Sequence, residues 1–178
     1  MFTRIIPLLL FSALGLFACG DGAGSETANA TETGIDTPTE NVARADAEFS
    51  DPLIDKVFQN YLELQAALVN SDAAQAATTA GNMAETFSAD RADLRGLARQ
   101  IADTDELEAQ RAHFAELTTA IEPLLAGAIT GGTVYKVHCP MAFDNEGADW
   151  FSEVSEVRNP YFGDQMLTCG RVTEEIMN

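Results

Sequence analysis

Residues 51–71 read DPLIDKVFQNYLELQAALVNS, and this stretch decides the expected fold class. Leu53, Val57, Tyr61, Leu64 and Leu68 recur at helical spacing, which places them on one face of a helix. Asp51 before Pro52 supplies a capping carboxylate and then a first-turn proline. Asn70-Ser71 breaks the run. Ser71 is then placed to cap a second helix through Ala73, Ala77, Ala80, Ala84 and Phe87, whose small residues suit close helix–helix approach. Residues 88–102 continue helically with Leu94, Leu97, Ala98 and Ile101, either as a separate helix or as a continuation. Asp103 and Glu106 have the spacing of a capping box. A long helix follows, carrying Leu107, Phe114, Leu117, Ile121, Leu124 and Ile129. Pro123 inside it predicts a kink or break, and Gly131-Gly132 predicts its end. Short links between such helices predict an all-α protein, an up-down antiparallel three- or four-helix bundle.

Downstream the character changes. Residues 133–138, TVYKVH, alternate and are β-branched, but no strand partner is evident. Asn145, Gly147, Asn159-Pro160 and Gly163 mark turns. The reading is an irregular, cysteine-containing C-terminal segment appended to the bundle, the two together forming one domain over residues 50–178. About 125 residues are enough for a single core.

Upstream, Arg4 precedes an apolar run from Ile5 to Phe17, the form of a secretory signal. The run is shorter than the roughly 20 residues that span a membrane. It ends in Leu16-Phe17-Ala18-Cys19, which resembles a lipobox. Residues 1–18 are therefore expected to be a cleaved lipoprotein signal peptide, and Cys19 the lipidated first residue of the mature chain. Two or three acyl chains anchor a protein stably where one does not. The expected location is membrane-anchored and facing the periplasm, and Gly20, which is not an acidic retention signal, leans towards the outer membrane. Residues 19–49 are mostly small, polar or acidic, too poor in apolar surface to offset their ordering entropy, and read as a disordered acidic tether.

The chain has 10 Lys+Arg against 28 Asp+Glu, a net formal charge of −18. Loss of a leader containing Arg4 makes it one unit more negative. Such a surface repels phosphate backbones, which excludes a nucleic-acid partner, and it attracts cations only diffusely.

Apart from Cys19 there are two cysteines, each among soft donors: His138-Cys139-Pro140-Met141 and Met166-Leu167-Thr168-Cys169. Thiolate and thioether ligands select Cu(I) over harder ions, and imidazole suits copper or zinc. Should the two segments meet, Cys139, Met141, Met166, Cys169 and His138 form a candidate set for Cu(I) or Ag(I). The same cysteines in an oxidising compartment normally form a disulfide. Closing a loop of about 30 residues by a Cys139–Cys169 bridge contributes roughly 3–4 kcal/mol in the chain-entropy model. Methionines also fill core gaps with no ligand role. Both readings stand.

The stretch from Tyr135 to Trp150, with Cys139-Pro140-Met141-Ala142, resembles the domain-of-unknown-function family numbered 3347. So does the stretch from Arg158 to Gly170, with Asn159-Pro160-Tyr161-Phe162-Gly163 and Met166-Leu167-Thr168-Cys169-Gly170. The segment from Ile101 to Leu117, with Glu108-Ala109-Gln110-Arg111 and Phe114, is similar to that family's third helix. The resemblance covers about residues 50–176. It implies an exported helical domain, some relatives of which are fused to or lie beside the periplasmic adaptors of copper/silver efflux pumps. It thereby implies Cu(I) or Ag(I) handling, with His138, Cys139, Met141, Met166 and Cys169 at the candidate ligand positions. Cys139-Pro140-Met141 is also similar to the CPM of short heavy-metal-binding modules, though Ala142-Phe143 replaces the HP that follows there.

Other candidates are weaker. His113 and Glu116 lie one turn apart, as in many metal sites, but such a pair on a charged helix is usually a solvated face. Trp150, Tyr161 and Phe162 read as anchors of the irregular segment. Asp144, Asp149 and Asp164 fit no calcium loop. No nucleophile with a nearby base, no phosphate loop and no nucleophile elbow at Ser152 or Ser155 is evident, so no enzyme is expected. The expected function is a lipid-anchored envelope protein that binds Cu(I) or Ag(I) as a buffer or delivery partner for an efflux adaptor. The alternative is an envelope interaction module stapled by a Cys139–Cys169 disulfide, without metal.

Overall fold

The computed structural model describes residues 46–178. The expected signal peptide, Cys19 and the tether as far as residue 45 lie outside the described residues.

Four helices form as the periodicity dictates: α1 Pro52–Val69, α2 Ala73–Thr86, α3 Ala92–Ala102 and α4 Leu107–Ala128. Asp51 caps α1, its side chain accepting from the Leu53 amide at 2.8 Å. The buried face of α1 carries Ile54, Val57, Phe58, Tyr61, Leu64 and Leu68. The cap of α2 is Asp72, not Ser71: its carboxylate accepts from the Gln75 amide at 2.9 Å. Of the expected stripe, Ala80, Ala84 and Phe87 are buried, while Ala76, Thr79 and Met83 face inward where Ala73 and Ala77 were expected to. A single 3-10 turn, Ala89–Arg91, separates α3 from α2. The capping box expected at Asp103 does not form. Asp103 closes α3, and the Glu106 amide donates to Thr104 Oγ1 instead. α4 runs on through Pro123 and ends at Ala128, before the glycine pair. Consecutive helices pack in chain order, and α4 returns against α1.

The all-α expectation is wrong: the fold is mixed α/β. Strand β1 (Glu48–Phe49) pairs antiparallel with β2 (Ile129–Gly131), which continues directly from α4. Gly132 turns the chain at φ +68°. A Cβ there would stand 2.2 Å from the Asp46 carbonyl oxygen, so only glycine fits against residues 46–47. The alternating stretch then becomes β3 (Val134–Cys139), the central strand of a three-stranded antiparallel sheet. Its partners are β4 (Ala148–Ser152) and β5 (Arg171–Ile176), with Val137 opposite Trp150 and Val172. Neither partner advertises itself. β4 ends in a buried run, Trp150-Phe151-Ser152, and β5 is half charged and mostly exposed, so both lack the alternation that marks a half-buried strand.

One core joins helices and sheet. Trp150, Phe151, Tyr61, Phe58 and Phe114 are all completely buried. Tyr61 stacks on Phe114 at 4.9 Å between ring centres. Its hydroxyl pairs with Thr118 Oγ1 at 2.8 Å and accepts from the Phe151 amide at 3.1 Å. Burial pushes this phenol well up and keeps it neutral. Gln65 reaches across to β4, its amide donating to Phe151 O at 3.0 Å and accepting from Trp150 Nε1 at 3.1 Å. A helix residue thus satisfies the indole that the sheet buries.

A candidate dithiol site

The two cysteines meet. Cys139 ends β3, buried and paired in register with Ala148. Cys169 lies half-buried in the segment before β5. Their Sγ atoms are 3.1 Å apart, one thiol donating to the other. The bond with Cys139 pushes the Cys169 thiol up, with burial and the neighbouring charge adding to it.

Cys169 is held there by Asn159. Asn159 is fully buried, and every polar group it carries is used. Its Nδ2 donates to Cys169 O at 2.7 Å and its amide donates to Leu167 O at 2.8 Å. Its Oδ1 accepts from the Tyr161 and Phe162 amides at 2.8 and 3.3 Å, and its carbonyl accepts from Gly163 at 3.1 Å. Pro160 ties this loop to the bundle. Its carbonyl accepts from Arg111 Nε at 2.9 Å, while Arg111 Nη2 donates to Leu68 O and Ser71 Oγ at the end of α1. Burial pulls the Arg111 guanidinium down, yet its donors are matched to carbonyl and hydroxyl oxygens. Gly170 follows at φ +147°, where a Cβ would meet Trp150 Cη2 at 2.8 Å. The indole and the cysteine segment therefore approach closely.

The five-donor set is not assembled around one point. His138 and Cys139 are neighbours in a strand, and successive strand side chains point to opposite faces. His138 Nδ1 is bonded to Asp149 Oδ1 at 2.7 Å. Asp149 also lies 3.7 Å from Lys136 Nζ, which bonds Glu122 at 2.7 Å. The Glu122 bond and the surrounding carboxylates push the Lys136 ammonium up. Met141 is 46% exposed on the hairpin between β3 and β4. Beyond it Phe143, Asp144 and Asn145 all have positive φ, and Phe143 packs edge-on against Tyr161 at 5.4 Å. Met166 is half-buried and accepts from the Cys169 amide through its own carbonyl at 3.0 Å. Among the described residues, no three His, Cys, Asp or Glu side chains converge as a metal-binding group. His113 pairs with Glu116 at 3.5 Å on the α4 surface.

The geometry suits two kinds of sulfur chemistry unequally. A disulfide needs the sulfurs to close to about 2.05 Å. A shared ion with bonds of ~2.3 Å needs them to open, to about 3.8 Å if tetrahedral and about 4.6 Å if linear. Either change is a movement of roughly an ångström or so, and only Cu(I)-like soft ions accept so few donors.

Sequence reading reached both cysteines but missed their supports. Asn159 carried only a turn signal, and Arg111 looked like one charge among many on a helix. A burial stripe that includes an arginine is the trace the latter leaves: Arg111 lies three residues ahead of Phe114 and seven ahead of Thr118, on the inward side of α4.

The family model described as "Protein of unknown function (DUF3347)" matches residues 57–131. That interval takes in most of α1, all of α2 to α4, and β2, and it ends before the cysteine-bearing sheet. No curated protein and no solved structure matches the chain. Among the described residues, no helix is long and apolar enough to cross a membrane.

Proposed function

We propose, for a chain that belongs over residues 57–131 to the DUF3347 family, that the reduced Cys139–Cys169 pair captures Cu(I) or Ag(I). The protein would act as a lipid-anchored carrier or buffer on the periplasmic side, passing the ion to a heavy-metal efflux adaptor. The observation that supports this reading most is the contact of two thiols from segments 30 residues apart. The ligand set it leaves is smaller than the composition suggests: two thiolates, with Met141 two residues from Cys139, Met166 three residues from Cys169, and His138 committed to Asp149. Low coordination suits transfer, because an acceptor's ligand can enter before the last bond breaks. The acidic surface raises the local concentration of any cation without selecting one.

Anaerobic titration of the reduced protein with Cu(I) against a competing chelator tests the reading. One equivalent should be withheld from the chelator by the native chain and released when Cys139→Ser and Cys169→Ser are combined, while His138→Ala leaves it bound. Equal competition by the native and double-serine proteins overturns the metal role. The anchor has its own test, incorporation of labelled fatty acid that disappears in Cys19→Ala.

A second reading has a specific observation behind it. At 3.1 Å the sulfurs are closer than any shared ion would hold them. The pair would then be a staple for an envelope interaction module with no metal. Thiol counting on protein purified from the periplasm separates the two: free thiols with bound copper support the carrier, and none with no metal supports the staple.

A further inference from the structure

The two cysteines are unequal in a way that matters for exchange chemistry. Cys139 is 0% exposed, at the end of a central strand paired on both sides. Cys169 is half-buried, in a segment with solvent on one side. Thiol–disulfide exchange requires direct approach of one sulfur to another along the bond that breaks, so access decides which thiol meets an external reagent. A sulfur already 3.1 Å away has no such access problem.

We propose that the pair is a thiol–disulfide switch with fixed roles: Cys169 meets a small external disulfide of the glutathione type, and Cys139 resolves the adduct. The bond to Cys139 keeps Cys169 mostly protonated, so it reacts through a minor thiolate fraction: Cys169 loses its proton to water, and this thiolate attacks one sulfur of the reagent. The reagent's S–S bond breaks, and the released thiolate takes up a proton. Cys139, deprotonated in turn, attacks Cys169 Sγ. The mixed disulfide breaks, and the second reagent thiolate leaves and is protonated. Two protein thiols are oxidised to one disulfide, one reagent disulfide is reduced to two thiols, and no other electron acceptor is needed.

The surroundings suit this division. Asn159 holds the backbone of Cys169 through the 2.7 Å bond to its carbonyl, so the adduct forms with the resolving sulfur still facing it. The backbone of Cys139 is fixed by the β3–β4 register at Ala148, and its side chain is wholly covered. Oxidation takes both sulfurs away from any cation, so the closed form would be unable to hold Cu(I) or Ag(I). The proposal rests on the same two sulfurs as the carrier reading, but its test uses no metal.

Reduced full-length protein is mixed with oxidised glutathione, quenched with acid at intervals, and mapped by peptide mass, which separates Cys19 from both sites. The native chain should show a transient adduct on Cys169 alone, followed by the Cys139–Cys169 disulfide. Cys139→Ala should accumulate the Cys169 adduct, and Cys169→Ala should leave Cys139 a free thiol, reacting at least tenfold more slowly. An adduct on Cys139 forming as fast as one on Cys169 overturns the roles. A native chain that stays reduced or stops at the adduct overturns the switch. The native time course needs no substitution, so it decides the matter even where a variant folds poorly. Resolution to the disulfide without metal binding would leave the switch standing and the carrier reading refuted. The reverse result would do the opposite.

Discussion

The helices and the C-terminal sheet are held by different means. Residues 52–128 fold chiefly on apolar stripes, with caps such as Asp51 on Leu53 and Asp72 on Gln75 at the ends and a few buried polar contacts such as Tyr61 on Thr118 between them. Residues 129–178 depend on particular polar atoms: Asn159 on Cys169, Arg111 on Pro160, Gln65 on Trp150, Tyr61 on Phe151. Three of these four donors or acceptors to the second region come from the helices. A stripe tolerates the exchange of one apolar residue for another. A buried side-chain amide with three bonds, as at Asn159, has no substitute, because each partner it abandons is left unpaired out of water. The region that holds the two cysteines is therefore the more narrowly specified one.

The largest effect should come where the two regions share a residue. Phe114 stacks on Tyr61 and lies 6.0 Å from Tyr161. Phe114→Ala should cost about 3–5 kcal/mol, the usual range for a fully buried phenylalanine. Chemical denaturation followed separately by far-ultraviolet dichroism and by the single tryptophan, Trp150, should show both signals falling together. Helices that persist after Trp150 is exposed would mean that the regions are less coupled than their shared core implies. Next comes Asn159→Ala, which should cost about 2 kcal/mol by leaving buried partners unsatisfied. Its diagnostic is local: amide exchange should accelerate over residues 161–170 and stay unchanged in α2 and α3. Uniform acceleration would assign Asn159 to general stability. The smallest is Asp72→Ala, a lost helix cap of about 1 kcal/mol. It should shift the midpoint without altering Cys139–Cys169 oxidation.

The same contrast explains what could be read in advance. Helical periodicity alone located α1 to α4, because burial of a stripe repeats every three or four residues. The errors at their ends concern which carboxylate or hydroxyl reaches an amide, as at Ser71 and Asp72, and where α4 gives way to a strand, since Ile129 belongs to β2 rather than to the helix. The sheet was missed although β3 alternates visibly, since β5 offers only Val172 and Ile176 as apolar residues and β4 buries adjacent ones. Without the sheet, His138 and Cys139 looked like joint ligands. With it, alternation sends them to opposite faces. The meeting of Cys139 and Cys169 was legible as a juxtaposition of motifs. Their support by Asn159 was not, because an asparagine that caps a loop in the core and one that turns a chain in water look the same in a sequence. The family match covers the helical region and stops before the cysteines, so it locates the scaffold rather than the site.

The claim that the two sulfurs act together on one soft cation has a direct test. Reduced protein is loaded with one equivalent of Ag(I), treated with a thiol-alkylating reagent under denaturant-free conditions, and mapped by peptide mass. The account predicts that Cys169, open to the reagent in the metal-free chain, becomes protected by the single ion, and that this protection is lost in Cys139→Ala. Alkylation of Cys169 at the same rate with and without silver, or protection that survives the loss of Cys139, would contradict it.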